Sequence, residues 1–343
     1  MRFISCLFFL ACITISAQIP TYYDGIDFSQ DKNMLQAELN TLLEKTHTTR
    51  LSYTPGVWNA LREIDSDTEN TDKLLLIYGS DDFDDELMND RTRDKALSCH
   101  RTQCTGRWNR EHVYPKSIGE FKDDGYEITD IHAIRASDTE MNEYRFNSPF
   151  VDGSEVAGEV SSYRFYPGDE WKGDIARMIL YMYLRYPNNC KPNYVGIDEH
   201  TYDKNIPDIF LEWNAEDPVS EFETIRNNLI AQNYQGNRNP FINNPYLATY
   251  LWGGPKAEDK WGTLSANQVE DKQFMIYPNP SSDLIYYNNI NFTQITIYDI
   301  DGRLVGQDRD VSNNFTQLPE NKGVYMVEFC NEKTCYTVKV IKK

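Results

Sequence analysis

The chain has 343 residues, of which 40% are hydrophobic and 13% aromatic, with 23 Tyr and 16 Phe. That is longer than one hydrophobic core usually organises and too apolar for a disordered or fibrous chain, so two globular units are expected. The 34 Lys and Arg against 53 Asp and Glu give a net charge of −19, which excludes general adhesion to polyanions and confines any such contact to a local patch.

Met1 and Arg2 precede an apolar run from Phe3 to Ile15 and then Ser16-Ala17, the order of a secretory signal over 1–17. The run is too short to span a bilayer, and nothing later reaches the roughly 18 consecutive apolar residues of a spanning helix. An exported chain with no integral membrane span is expected, secreted or held at the cell surface. Five cysteines follow the signal. Cys99 with Cys104 and Cys330 with Cys335 read as two disulfides rather than zinc ligands, because neither pair has a second Cys/His pair beside it. Cys190 is expected as a buried free thiol.

Residues 18–255 read as one α+β unit. Met34, Leu35, Leu39, Leu42 and Leu43 predict a helix over 30–45, and Leu74 to Tyr78 predicts a strand. The acidic runs Glu63 to Asp72 and Asp81 to Asp90 read as solvated loops, since the first lacks the turn glycine and closing Glu of a calcium loop. A helix with Ile175, Met178, Ile179 and Met182 on its buried face is expected over 171–186. A second is expected over 219–232, burying Phe222, Ile225 and Leu229.

After Trp252-Gly253-Gly254-Pro255 a linker is expected over 256–271, followed by a small all-β sandwich over 272–343 with a hairpin closed by Cys330 and Cys335. This tail carries eight Lys and Arg and eight Asp and Glu, so the whole negative charge lies upstream. Its Tyr277-Pro278-Asn279-Pro280, Tyr298-Asp299-Ile300-Asp301-Gly302-Arg303, Gly323-Val324-Tyr325 and terminal Lys342-Lys343 resemble the C-terminal sorting domain of type IX secretion. The resemblance implies the type IX machinery as a partner. The rival is a carbohydrate-binding or adhesive β module, disfavoured because no exposed aromatic cluster is expected there.

Residues 91–116 hold seven Lys and Arg against Asp94 and Glu111, a net of +5 inside an acidic protein. This suits phosphate contacts within one cleft. The island runs into Trp108-Asn109-Arg110-Glu111-His112-Val113-Tyr114-Pro115-Lys116-Ser117, then Thr129-Asp130-Ile131-His132-Ala133-Ile134-Arg135 and Asn142-Glu143-Tyr144-Arg145-Phe146-Asn147. Only five histidines occur in the chain, and His112 and His132 lie here. Phosphodiester hydrolysis needs a base for water, a cation for developing charge and donors for the nonbridging oxygens. His112 can be the base, Glu111 and the Asn142 amide are hard oxygen ligands for Mg²⁺, and the arginines can grip phosphate. Neighbouring Glu111 and His112 would point to opposite faces of a regular strand, so the strand must end, bulge or twist there.

These segments resemble the secreted nucleases of the endonuclease I family, with their ββα-metal motif. Lys172 to Arg177 and Gln235 to Phe241 match later family segments. The resemblance implies His112 as general base, Glu111 and Asn142 holding one Mg²⁺ (Mn²⁺ or Ca²⁺ in its place), and DNA, often also RNA, cut with little sequence preference to 5′-phosphate ends. Family segments often read Asp-Leu-His-His-Leu-Arg-Pro, whereas this chain has Asp130-Ile131-His132-Ala133-Ile134-Arg135-Ala136. The residue on the scissile phosphate is therefore sought first in Arg135 and then in Arg145. Arg107, Arg110, Lys116, His132 and Asn147 are the expected substrate contacts. The reading of another class is a surface nucleic-acid-binding adhesin without catalysis.

Overall fold

The computed structural model describes residues 19–81, 83–100, 104–262, 264, 276–287, 292–309, 311, 314–331 and 335–343. The expected signal at 1–17 lies outside them. The chain divides into two compact units between Ser265 and Ala266. No helix among the described residues is long and apolar enough to cross a membrane.

In the first unit α1 (Lys32–Thr46) is capped by the Asp31 carboxylate, which accepts from Asn33 N, and it buries Leu35, Leu39 and Leu43 at four-residue spacing. Then come α2 (Trp58–Ile64), β1 (Lys73–Leu75) and β2 (Thr92–Asp94), which pairs antiparallel with β1. β3 (Trp108–His112) and β4 (Ile134–Asp138) form an antiparallel pair, and α3 (Thr139–Arg145) starts directly from β4. The remainder is β5 (Gly158–Ser161) with β6 (Arg164–Tyr166), then α4 (Lys172–Arg185), α5 (Asp208–Glu216), α6 (Glu221–Leu229), α7 (Pro240–Asn243) and α8 (Tyr246–Trp252).

Two apolar clusters flank the β3/β4 pair. One joins α2 to Trp108, Ile131, Ile134 and Ala136, and the larger joins Val113 and Met141 to α1, α4, α5 and α8. β4 is consequently buried along its whole length.

Four expectations for the first unit change. The apolar run 74–78 is strand only to Leu75, and the chain then turns through Tyr78 at φ 73°. Gly79 is required there, because a Cβ would lie 2.3 Å from Asp90 O. α6 buries Glu223, Arg226 and Asn227, while Ile225 is exposed. The reason is electrostatic. Arg226 Nε lies 2.7 Å from Asp65 Oδ1, and Glu223 pairs with Arg177 at 2.6 Å. Asp65, read as part of a solvated loop, is thus fully buried. Finally, Ala257, Trp261 and Leu264 are buried in the first unit, so the start of the expected linker belongs to that fold; residues 265–271 lie outside the described residues.

The second unit is all β. One sheet has the order β10-β9-β12-β13, from Leu304–Asp308, Gln294–Tyr298, Gly323–Cys330 and Cys335–Lys342; the other has β11-β8-β7, from Phe315–Gln317, Leu284–Tyr287 and Ile276–Tyr277. Both sheets feed one core through Ile285, Tyr287, Ile295, Val327, Phe329 and Val340. The Cys330–Cys335 disulfide closes the β12/β13 hairpin, Cys99–Cys104 is also formed, and Cys190 is a buried free thiol. Contrary to expectation the second unit does carry an exposed aromatic row. Tyr277, Tyr286 and Phe315 align across three strands with ring centroids 6.0 Å apart at each step.

Candidate active site

β3, the segment that follows it and α3 wall a cleft of about 620 Å³ lined by Arg110, Glu111, His112, Pro115 to Ser117, Glu120, Phe121, Asn142, Glu143, Phe146 and Asn147, with β4 buried behind β3. Glu111 and His112 both reach it without a register shift in the pairing, because β3 ends at His112 and the cleft opens at that end. α3 is anchored where it leaves β4. The Asp138 carboxylate accepts from Glu140 N at 2.7 Å and Met141 N at 3.2 Å and pairs with Arg93 at 3.0 Å.

The His112 ring is held on its edge by the Ile128 carbonyl, 3.1 Å from Nε2, and Tyr53 stacks on it with centroids 5.7 Å apart. A carbonyl only accepts, so Nε2 carries the proton and Nδ1 is the basic atom. Burial, reinforced by the charges of Arg110 and Lys116, pushes the imidazole down to about 4. The ring is therefore neutral at physiological pH.

Glu111 is buried, and burial raises its carboxyl to about 7 against the opposing influence of Arg145 and two hydrogen bonds. Tyr78 Oη donates to Oε1 at 3.0 Å and Arg145 Nη1 donates to the same atom at 3.1 Å. Among the described residues Oε2 accepts no bond. The Asn142 Nδ2 group donates to Asn109 Oδ1 at 2.8 Å and Arg110 O at 3.3 Å, which fixes the amide orientation and leaves Oδ1 uncommitted. Two hard oxygens, Glu111 Oε2 and Asn142 Oδ1, could hold a cation.

Of the other expected residues, Arg110, Lys116 and Asn147 line the cleft. The Arg110 guanidinium lies over the Tyr53 ring at 3.4 Å and the Trp58 ring at 4.5 Å, and donates to Tyr53 O. Lys116 pairs with exposed Asp123 at 2.9 Å, and Asn147 Nδ2 donates to Ser117 Oγ at 2.8 Å.

Four expected residues do not line it. Arg135, the first choice for the phosphate contact, is fully buried between Asp65 at 3.3 Å and Asp174 at 3.1 Å. Arg145 is buried on Glu111 and also donates to Val113 O at 3.1 Å, so it braces the strand end. His132 is buried with Nε2 3.2 Å from Asn237 O, packed on Tyr181. Arg107 is exposed away from the lining. The reading missed Tyr78, whose signal was an aromatic followed by Gly at the end of an apolar run, and Phe146, which borders the cleft.

A ββα element presenting Glu, His and Asn between two cations in one cleft defines a site of the nuclease type. The chain matches Endonuclease I over residues 31–246 and the Secretion system C-terminal sorting domain over 275–343. The extracellular ribonuclease of Bacillus subtilis (strain 168) is 36% identical over 248 residues, spanning 69% of this chain and 80% of that protein. That of Bacillus amyloliquefaciens is 35% identical over 253 residues, spanning 71% and 81%. The chain belongs to the endonuclease I family: it is a secreted nuclease with a type IX sorting domain.

Proposed function

We propose that this nuclease hydrolyses DNA and RNA with little sequence preference, using His112 as general base and one Mg²⁺ on Glu111 and Asn142. The observation that carries this is the ring of His112. Its proton is committed to Ile128 O at Nε2, so Nδ1 is a lone pair at neutral pH on the same cleft as two uncommitted oxygen donors. Those donors suit Mg²⁺, with Mn²⁺ or Ca²⁺ as substitutes. When bound, the cation supplies charge neutralisation at the phosphate.

Nδ1 of His112 takes the proton of a water that attacks phosphorus in line with the 3′ oxygen; the P–O3′ bond breaks and the 3′ oxygen takes a proton from solvent water, leaving a 5′-phosphate and a 3′-hydroxyl. Arg110 and Lys116 supply the cationic wall for the flanking phosphates, and Asn147 a hydrogen-bond donor. Arg145 serves by orienting Glu111. The relatives are named as ribonucleases, which supports RNA as a substrate alongside DNA.

The test is cleavage of supercoiled plasmid and of a long RNA by the purified full-length chain with Mg²⁺ and with EDTA. Both substrates should be cut only with Mg²⁺. His112→Ala should be about 10² to 10⁴ slower while binding DNA as before; an unchanged rate removes the assignment of the base.

A further inference from the structure

Phe146 is an apolar side chain that the fold does not use. It follows the last residue of α3 and lines the cleft beside Asn142 and Asn147, yet it is 67% exposed. Its backbone lies at φ 51°, ψ −124°, a region that glycine adopts freely and a bulky residue enters only under strain. The strain belongs to a helix end tied down by its neighbours. Phe146 N donates to Asn142 O at 3.0 Å, and Phe146 O accepts from Arg145 Nη1 at 3.4 Å. Among the described residues no other aromatic ring packs against it. The chain turn would form more readily with glycine, and the ring gains nothing from burial, so what it offers is an open aromatic face at the mouth of the cleft.

We propose that Phe146 is a stacking platform for an unpaired nucleobase next to the scissile phosphate, and that the cleft consequently favours single-stranded DNA or RNA over paired duplex. Every base has a π face, so such a contact is indifferent to sequence. A base inside a duplex is already stacked on its neighbours and must be freed before it reaches the ring, whereas a single strand offers it at little cost. The cations that line the same cleft, Arg110 and Lys116, suit the phosphates flanking that base. The inference rests on reading this cleft as the nuclease site.

The experiment compares wild type, Phe146→Gly and Phe146→Trp as full-length proteins. Binding of a fluorescein-labelled single strand and of a blunt hairpin duplex is read by anisotropy in EDTA, where nothing is cut. Phe146→Gly should bind the single strand about 5- to 150-fold more weakly, the span measured for one stacked base, and the duplex less than about 3-fold more weakly by the same argument. Phe146→Trp should retain wild-type single-strand affinity. The thermal midpoint of Phe146→Gly should be equal to or above wild type, because glycine relieves the backbone. Unchanged single-strand affinity in Phe146→Gly, an equal loss on both ligands, or a lowered midpoint each overturns the proposal. Failure of the nuclease reading is separate: it is read from undiminished cleavage by His112→Ala.

Discussion

Replacing Arg145 by Met keeps most of the side chain's aliphatic bulk and removes its charge. Two bonds of 3.1 Å, to Glu111 Oε1 and Val113 O, disappear, and the buried Glu111 carboxylate is left with Tyr78 alone. Removing one partner of a buried ion pair costs about 3–5 kcal/mol where the remaining charge stays ionised, so the measurement belongs above pH 7, where the Glu111 carboxyl is charged in the wild type. All six tryptophans, from Trp58 to Trp261, precede Ser265, so intrinsic fluorescence follows the unfolding of the nuclease unit alone. With a urea dependence of about 3 kcal/mol per M for a unit of this size, the midpoint in EDTA should fall by roughly 1–1.7 M. Adding Glu111→Gln should restore a large part of that loss, since no orphaned charge remains. Were Arg145 instead a contact to the scissile phosphate, its loss would leave stability near wild type and weaken substrate binding. A midpoint lowered by less than about 0.3 M, roughly 1 kcal/mol on the same scale, would refute the bracing role.

Two further outcomes follow from the same buried charges. The Glu111 carboxyl lies at about 7 in the folded protein against 4.5 ordinarily, so folding takes up a proton between these values and the group's contribution to stability falls as pH rises through that window. In EDTA the unfolding free energy of wild type minus that of Glu111→Gln should decline between pH about 4.5 and 7, by up to about 3 kcal/mol; a difference that is flat or rising contradicts the buried carboxyl. Arg135→Met should lower stability by about 3 kcal/mol by stranding its carboxylate partners, with the nucleic-acid affinity of the folded protein intact when measured by anisotropy at low temperature. An unchanged urea midpoint together with weakened binding would return Arg135 to the role of phosphate contact.

What the sequence disclosed is what depends on near neighbours along the chain. α1 and α4 follow from leucines, isoleucines and methionines at helical spacing, and the Glu111, His112 and Asn142 constellation from three short motif segments carried on two paired strands and the helix that continues the second. Burial of charge was not legible. Arg110 and Arg135 look alike as arginines beside a motif, yet one borders the cleft and the other is enclosed by Asp65 and Asp174, acids 70 and 39 residues away on separate elements. The acidic run around Asp65 reads as solvated because nothing local says that Arg135 and Arg226 converge on it. The row formed by Tyr277, Tyr286 and Phe315 is likewise a product of strand register, with its members dispersed along the chain.

The same error of scale bears on the basic island. A count of +5 suggests an electrostatic binding patch, but part of that charge is spent inside the protein: buried Arg93 pairs with Asp90 and Asp138 at the α3 junction. The arginines after the island, Arg135 and Arg145, brace the hairpin from within. Of the cations expected to meet substrate, those bordering the cleft are Arg110 and Lys116, and Lys116 already faces Asp123. On a molecule of charge −19, two cations give a shallow attraction for a polyanion, so affinity has to come from short-range contacts within the cleft. An exposed ring at its edge, held there against the preference of its own backbone, supplies a contact of that kind and one that ionic strength does not screen.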